Sequence, residues 1–324
     1  MKIVRMLAAL VAGLCATTVM GAQGQGAYPD GQPVRMVVPA PPGGPGDIVA
    51  RALAQQMSGS LGVPVLVDNQ PGGASIPGTR MVARAAPDGH TLLLTLNVTH
   101  TQLPHMYATP PYDPFGDFTP ISMLYRGYSV LVAHPSLPAG NLAEAVELSR
   151  RENISFGSAG AGTTGHLFVE VLNDEYDAGF THVPYKGSQP ATQDLIGGHI
   201  QLLFDSPATA AVHIAAGRSK PLAVVSPQRL AALPDVPTAA EAGFPALEGS
   251  AWMGLFGPAG LSPQVVDKLN RAVVQAVESS VLREQFALLG VEILSTTPEA
   301  FAEQIRLDYD RWGRIIKRLG IRQD

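Results

Sequence analysis

The residues best able to do chemistry lie in two glycine-rich stretches, and the longer one invites three familiar readings. In Gly157-Ser158-Ala159-Gly160-Ala161-Gly162-Thr163-Thr164-Gly165, glycines 160, 162 and 165 have the spacing of a dinucleotide-binding turn, with Glu175 and Asp177 downstream as ribose partners. The stretch also approximates a phosphate-binding loop as Gly157-x4-Gly162, but Thr163-Thr164 stands where that loop needs Lys-Ser/Thr, so β/γ-phosphates would find no cation. A hydrolase elbow around Ser158 fails at its first element, because Phe156 occupies the first glycine position. What survives is an anion site without a catalyst: backbone N–H groups at a helix N-terminus, flanked by the hydroxyls of Ser158, Thr163 and Thr164.

Gly43-Gly44-Pro45-Gly46 has the same design, and Asp47 is placed to accept loop N–H groups and shape the loop before a ligand arrives. Either loop alone could be a tight turn, since glycines gather between strand and helix for steric reasons. Two of them, one after the first strand of each half of the chain, point to facing anion sites that a ligand with two carboxylates would span. His100 and His105 lack an HExxH pattern and an acidic partner at ligand spacing, so no metal site is expected. His166 opens the helix behind the longer loop, where it either donates to a bound carboxylate or caps packing. Asp113 and Asp117 lie among Pro and Gly, and turn capping accounts for them. Asp205 ends a buried strand and points toward a cleft by the strand-end rule for open sheets.

Both loops require a strand before them and a helix after. Val34-Arg35-Met36-Val37-Val38 is an apolar run that meets Pro39, and a helical period follows with Ile48, Ala52 and Gln56 beside Val49, Leu53 and Met57. Gly62 stops that helix, and Val63 to Val67 reads as the next strand, parallel to the first through the usual crossover. The alternation continues with a helix from Ile76 to Ala86 and a buried strand from Thr91 to Leu96. A second block follows the extended segment Tyr125 to Ala133, with strand Ile154 to Phe156, the longer loop, a helix from His166 to Leu172, and strands near 180–183, 200–204 and 222–225. From Trp252 a strand leads to a helix with Ser262 as cap and Pro263 at its first position, and a last helix aligns Phe301, Ile305, Trp312, Ile316 and Leu319. Neither helix has enough sheet beside it for a third domain. Both are expected to return to the first block, so that the chain crosses twice between two lobes.

The 324 residues are 46% apolar and 15% charged, enough for two cores and too apolar for disorder. A net charge of −5 with no basic run argues against a nucleic-acid partner. Residues 1–22 read as a secretory signal peptide: Lys2 and Arg5, an apolar stretch from Met6 to Val19 too short for a membrane span, then Gly21 and Ala22. Cleavage would remove the only cysteine, Cys15, and two cations, taking the charge from −5 to −7 and leaving no disulfide or thiol chemistry. A thiol-free body behind a leader suits a bacterial periplasm. That compartment holds no free nicotinamide pool, which counts against the dinucleotide reading.

Ordered matches to one known family run through nearly the whole mature chain. They include Tyr28-Pro29 with Val34 to Pro39, Pro42 to Asp47 followed by Ala50-Arg51, Asn69 to Gly73, Pro87-Asp88-Gly89 and PYDPFGDFTPI from Pro111. They continue with GSAGAGTTGHL from Gly157, HVPYKGSQPATQDLIGGHI from His182, LPDVPTAAEAG from Leu233, Trp252-x-Gly254, and Pro258-Ala259-Gly260 with Leu269-Asn270. On these residues the chain resembles the periplasmic solute-binding receptors of tripartite tricarboxylate transporters, the Bug (Bordetella uptake gene) family. It departs from many members at Ala40-Pro41-Pro42, where a Gly- or Phe-rich entry is usual, and in the acidic helix end Asn173-Asp174-Glu175.

The resemblance implies an α/β, two-lobed Venus-flytrap fold of the type II-like periplasmic-binding-protein class, each lobe a mostly parallel sheet flanked by helices. Residues 28–124 and 250–324 would form the first lobe and 125–249 the second. It implies a monomer without catalytic residues, cofactor or metal, which captures a small mono-, di- or tricarboxylate between the lobes and delivers it to membrane permease subunits. Carried over residue by residue, the ligand contacts are Gly43, Gly44 and Asp47 in the first lobe and Ser158, Gly160, Thr163, Thr164 and His166 in the second. Asn97 and Thr99, at the end of a first-lobe strand, and Tyr185 and Asp205 join them. Two other functions stay open. An exported enzyme acting on a small carboxylate would need a nucleophile–base pair or a metal that these motifs do not assemble. A sensor showing its closed form to a signalling partner would look the same in sequence.

Overall fold

The computed structural model describes residues 28–289 and 291–322; the proposed leader, with Cys15, lies outside them. Apolar runs become strands here because helices cover both faces of the sheets. In β1 (Val34–Val38) only Arg35 is exposed, and β3 (Thr91–Leu96) buries Leu92, Leu93 and Leu94 completely. Between them lie α1 (Pro45–Leu61), β2 (Val65–Asn69) and α2 (Ile76–Ala83). Gly62 closes α1 in the left-handed conformation with its N–H on the Ser58 carbonyl. Two short helices, α3 (Val98–Thr101) and α4 (Leu103–Met106), precede β4 (Phe118–Gly127). The second lobe contains β5 (Ser129–Ala133), α5 (Leu142–Ser149), β6 (Ile154–Ser158), α6 (Thr164–Glu175), β7 (Phe180–Pro184), α7 (Ser188–Ile196), β8 (Leu202–Asp205), α8 (Pro207–Ala215) and β9 (Lys220–Val225). The chain returns through β10 (Ala251–Pro258), α9 (Pro263–Glu278), α10 (Ser280–Leu289), β11 (Glu292–Ile293) and α11 (Pro298–Leu319).

The two sheets have the orders β11-β4-β10-β3-β1-β2 and β7-β6-β8-β5-β9. They are mixed, which corrects the expectation of mostly parallel sheets. β1 pairs in parallel with β2 and β3, and β6 with β7 and β8, but β10 is antiparallel to β3 and β4, and β5 to β8 and β9. The crossings explain this. β5 and β10 each enter a sheet from the end at which the chain arrives from the other lobe, so they run against the crossover strands that finish there. The carboxyl ends of β1 and β3 therefore face those of β6 and β8, and a side chain just beyond β3, Gln102, meets Thr164 just beyond β6.

The last helix departs from expectation. Phe301 and Ile305 pack with Trp252 and Phe256 of the first lobe, as expected, but Trp312, Ile315 and Ile316 pack with Phe168 and Leu172 of the second. At 1.5 Å per residue, 22 helical residues extend about 33 Å, farther than one lobe's face needs. Glycines admit the close contacts along it: a Cβ on Gly254 would stand 2.1 Å from the Phe301 ring, and one on Gly313 would stand 2.4 Å from the His105 ring. Among the described residues no helix is long and apolar enough to cross a membrane.

Candidate ligand-binding cleft

The first N–H groups of a helix have no intrahelical acceptor, so they need a cap, water or a ligand. Helices following strands that run away from the cleft are capped by side chains: Asn141 on α5, Ser262 on α9 and Thr297 on α11. Five helices following strands that end at the cleft have no side-chain cap: α1 after Gly44, α2 after Ser75, the one-turn α3 after Asn97, α6 after Thr163 and α7 after Gly187. Ser206, which caps α8, is the exception on that side.

The first loop is locked by charge. Gly43 adopts φ +78°, a conformation that glycine reaches without strain, and its N–H donates to Asp47 Oδ2 at 2.9 Å. Arg51 Nε donates to the same oxygen at 2.9 Å, Arg51 Nη2 reaches Asn69 Oδ1, and Asn69 Nδ2 returns to the Ala40 carbonyl. The Arg51 guanidinium holds the Asp47 carboxyl below the usual carboxylate range, against the opposing effect of burial. Asp47 Oδ1 is buried without a partner. Gly44 is the residue before the first helical turn, in extended conformation.

Hydroxyls and imidazoles hold the second loop, with the Glu170 carboxylate behind them. Ser158, 1% exposed, donates to the Gly160 carbonyl at 3.0 Å and lies 2.6 Å from His182 Nε2. Thr163 Oγ1 donates to that same carbonyl at 2.7 Å, so it does not cap its helix. Gly162, at φ +76°, donates its N–H to His166 Nδ1 at 2.9 Å. The His166 ring stacks on His182 with centroids 4.0 Å apart. Burial, and then the neighbouring His166, push the His182 imidazole down to about 4, so it is neutral near pH 7. His166 therefore turns Nδ1 to its own loop, and its Nε2 lies 3.4 Å from Glu170 Oε1.

The remaining candidates divide in the same way. Asn97 is buried at the end of β3 with Nδ2 unpartnered, and Gln102 is fully buried with Oε1 unpartnered while its Nε2 donates to Thr164 Oγ1 at 3.3 Å. Thr99 turns inward, donating to the Leu96 carbonyl and meeting His100 Nδ1. Tyr185 donates to Asp194 Oδ2 at 2.7 Å. Asp205 accepts from Thr192 Oγ1 and the Ser206 N–H, and burial raises its carboxyl above the ordinary value. Gln102 and His182 were absent from the sequence-based set. Gln102 carries no motif; His182 opens the matched HVPYKG segment, but its contact with Ser158 depends on the parallel pairing of β6 and β7. The Ser158–His182 contact has nucleophile–base spacing, yet the hydroxyl is buried and spent within its own loop. Among the described residues no group of three or more His, Cys, Asp or Glu side chains could hold a metal ion.

Two lobes joined by crossing strands, with bare helix N-termini lining the space between them, define a two-lobed solute-binding protein. A family profile described as "Tripartite tricarboxylate transporter family receptor" matches residues 49–321, and the chain belongs to that family. Its members are solute-binding receptors and not enzymes. The chain is 32% identical to Protein BugT of Bordetella pertussis over 327 residues, 99% of each chain. Among solved structures it is similar to MatC (Rpa3494) from Rhodopseudomonas palustris with bound malate, at 32% identity and TM-score 0.75, covering 87% of this chain and 98% of that one. It is also similar to R. palustris Rpa4515 with adipate, at 30% identity and TM-score 0.78, covering 90% and 98%.

Proposed function

We propose that the cleft takes a small carboxylate anion, seated on the bare N-termini of α1 and α6, and that the receptor delivers it to the permease subunits of its transporter. The observation that carries this reading is the contrast in capping. Helices that follow strands running away from the cleft carry a side-chain cap, while α1 and α6 do not; Pro45 has no N–H and the Asp47 N–H turns to the Gly44 carbonyl, so α1 offers the N–H of Gly46 where α6 offers those of Thr164 and Gly165. Asn97 Nδ2 adds a donor, and Asp47 Oδ1 and Gln102 Oε1 add acceptors suited to ordered water or to a ligand hydroxyl. The malate and adipate in the related structures support the ligand class. Gly43, Gly44, Gly160 and Thr164 stand next to the ligand in this reading. Asp47 shapes the first loop and offers its free oxygen, while Ser158, Thr163, His166, Tyr185, Asp205 and Thr99 hold the frame.

The lobes comprise 28–124 with 250–324, and 125–249, and close about the segments near Tyr125 and Gly249. The protein works as a monomer in the periplasm, exported by the 1–22 leader. A thermal-shift panel of mono-, di- and tricarboxylates tests the reading. At least one acid should raise the melting temperature, with calorimetric Kd in the micromolar range or tighter, and ligand at a hundred times Kd should add about 2.7 kcal/mol. Nuclear magnetic resonance should show the acid unconsumed after prolonged incubation. A panel that moves no melting curve removes the ligand class, and turnover of a hit restores the enzyme alternative.

A further inference from the structure

Away from the glycine loops, beside the crossing strands, a cavity of about 580 Å³ lies between the lobes. Its walls include Arg126 near the end of β4, Arg311 and Arg314 on α11, and Ser226 and Leu247 from the second lobe. Among the described residues the Arg126 side chain makes no hydrogen bond or close ion pair, although its charge acts on Asp308, and its Nε is buried without a partner. The Nε of Arg311 is buried and unpartnered too, while its Nη2 donates to the Ala246 carbonyl at 3.0 Å. A guanidinium N–H taken out of water without an acceptor is costly, so these groups call for an acceptor that the chain does not supply.

The two acids of the cavity wall are already committed. Asp308 accepts from Trp252 Nε1 at 2.6 Å through Oδ2 and from Gln304 Nε2 at 3.1 Å through Oδ1. Glu248 takes Arg311 Nη1 at 2.8 Å. Three guanidiniums against two carboxylates leave one positive charge in surplus, within a chain whose net charge is −5.

We propose that this cavity is a second anion site, separate from the cleft, that takes a small dicarboxylate between Arg126 and the Arg311–Arg314 face of α11. Two carboxylates match guanidinium groups contributed by β4 and by α11, each carboxylate able to act as a bidentate acceptor. Because both lobes contribute walls, an anion held here favours one lobe arrangement, so its binding and that of the cleft ligand alter each other's affinity equally.

Trp252, bonded to Asp308, and Trp312, with the Arg311 guanidinium 5.2 Å from its ring centroid, are the only tryptophans of the chain and report on this cavity. The full mature chain carrying Gly162→Val, which disables the cleft, is titrated with succinate and separately with inorganic phosphate while tryptophan emission is followed. Succinate should give a saturable change. Arg126→Ala, and independently the exposed and therefore fold-safe Arg314→Ala, should each raise the succinate Kd about tenfold or more. A stronger response to phosphate than to succinate overturns the dicarboxylate assignment. No saturable change, or one that neither arginine substitution weakens, overturns the site. Loss of cleft binding alone leaves this signal in place, so the two readings fail separately.

Discussion

The two glycine loops both present backbone donors but are held by different chemistry. Around Gly43 the lock is ionic, running from Arg51 through Asp47 to a loop N–H. Around Gly162 it is built from hydroxyls and two stacked imidazoles, with the Glu170 carboxylate behind them. Both fix the loop before a ligand arrives, which lowers the ordering cost of binding. They differ in the conditions that undo them, and that difference can be measured.

The largest effect should come from Gly162→Val, which forces a β-branched residue to φ +76° beside the ligand seat. We expect at least a hundredfold loss of calorimetric affinity for the best acid of the thermal-shift panel, with the far-UV circular dichroism spectrum kept. Gly43→Val should cost less, because a side chain there meets no protein atom within 4 Å and can turn away from the ligand beside it, which leaves the strain at φ +78° as the main cost. Equal losses would erase the asymmetry between the loops. Asp47→Ala comes next. It frees the Gly43 N–H and strands Arg51, and a lost charge-assisted hydrogen bond predicts roughly ten- to a hundredfold weaker binding.

Acid should separate the loops by pH window. The folded His182 titrates near 4 and an unfolded histidine near 6.5, so the unfolded chain takes up the proton first and stability falls as pH drops from about 6.5 toward 4. Asp47, lowered in the folded state, loses its contribution only as pH falls below the ordinary carboxylate value near 3.8. His100, buried in the first lobe and pushed down to about 3, also titrates in the histidine window, so the informative quantity is the difference between variants. Melting curves from pH 7 to 3 should show His182→Gln flattening the upper window and Asp47→Asn flattening the lower one. Identical profiles would mean that the locks do not differ in charge. The smallest effect should be that of Thr164→Val, which removes the acceptor of the Gln102 bridge; a neutral hydrogen bond predicts about two- to tenfold weaker binding, read by calorimetry.

Much of the frame was legible because it is written in local pattern. β1 and β3 have the boundaries that their apolar runs indicate, and Ser262 and Gly62 end their helices as those residue types do elsewhere. The short helices α3 and α4 and the eight-residue α5 escaped notice, since one or two turns carry too little periodicity to stand out. The loops themselves were legible as clusters of glycine and hydroxyl residues. The direction of each hydroxyl was not: Ser158, Thr163 and Thr99 spend theirs on nearby carbonyls, a choice made by backbone geometry that residue type does not encode. Gln102 and His182 matter through partners 62 and 24 positions away, which only sheet pairing and lobe packing bring near.

Helix α11 has a consequence for how the molecule comes apart. Its Trp312, Ile315 and Ile316 complete a core whose other members belong mainly to the second lobe, and Leu103 and Met106 of the first lobe complete it as well. A fragment containing only 125–249 would therefore leave a large apolar hole open to water, and the first lobe without it would expose the second half of an amphipathic helix. The lobes are separate sheets but not separate folding units. Denaturant should melt them in one cooperative transition with coincident curves from tryptophan emission and circular dichroism, and neither piece, expressed alone, should fold.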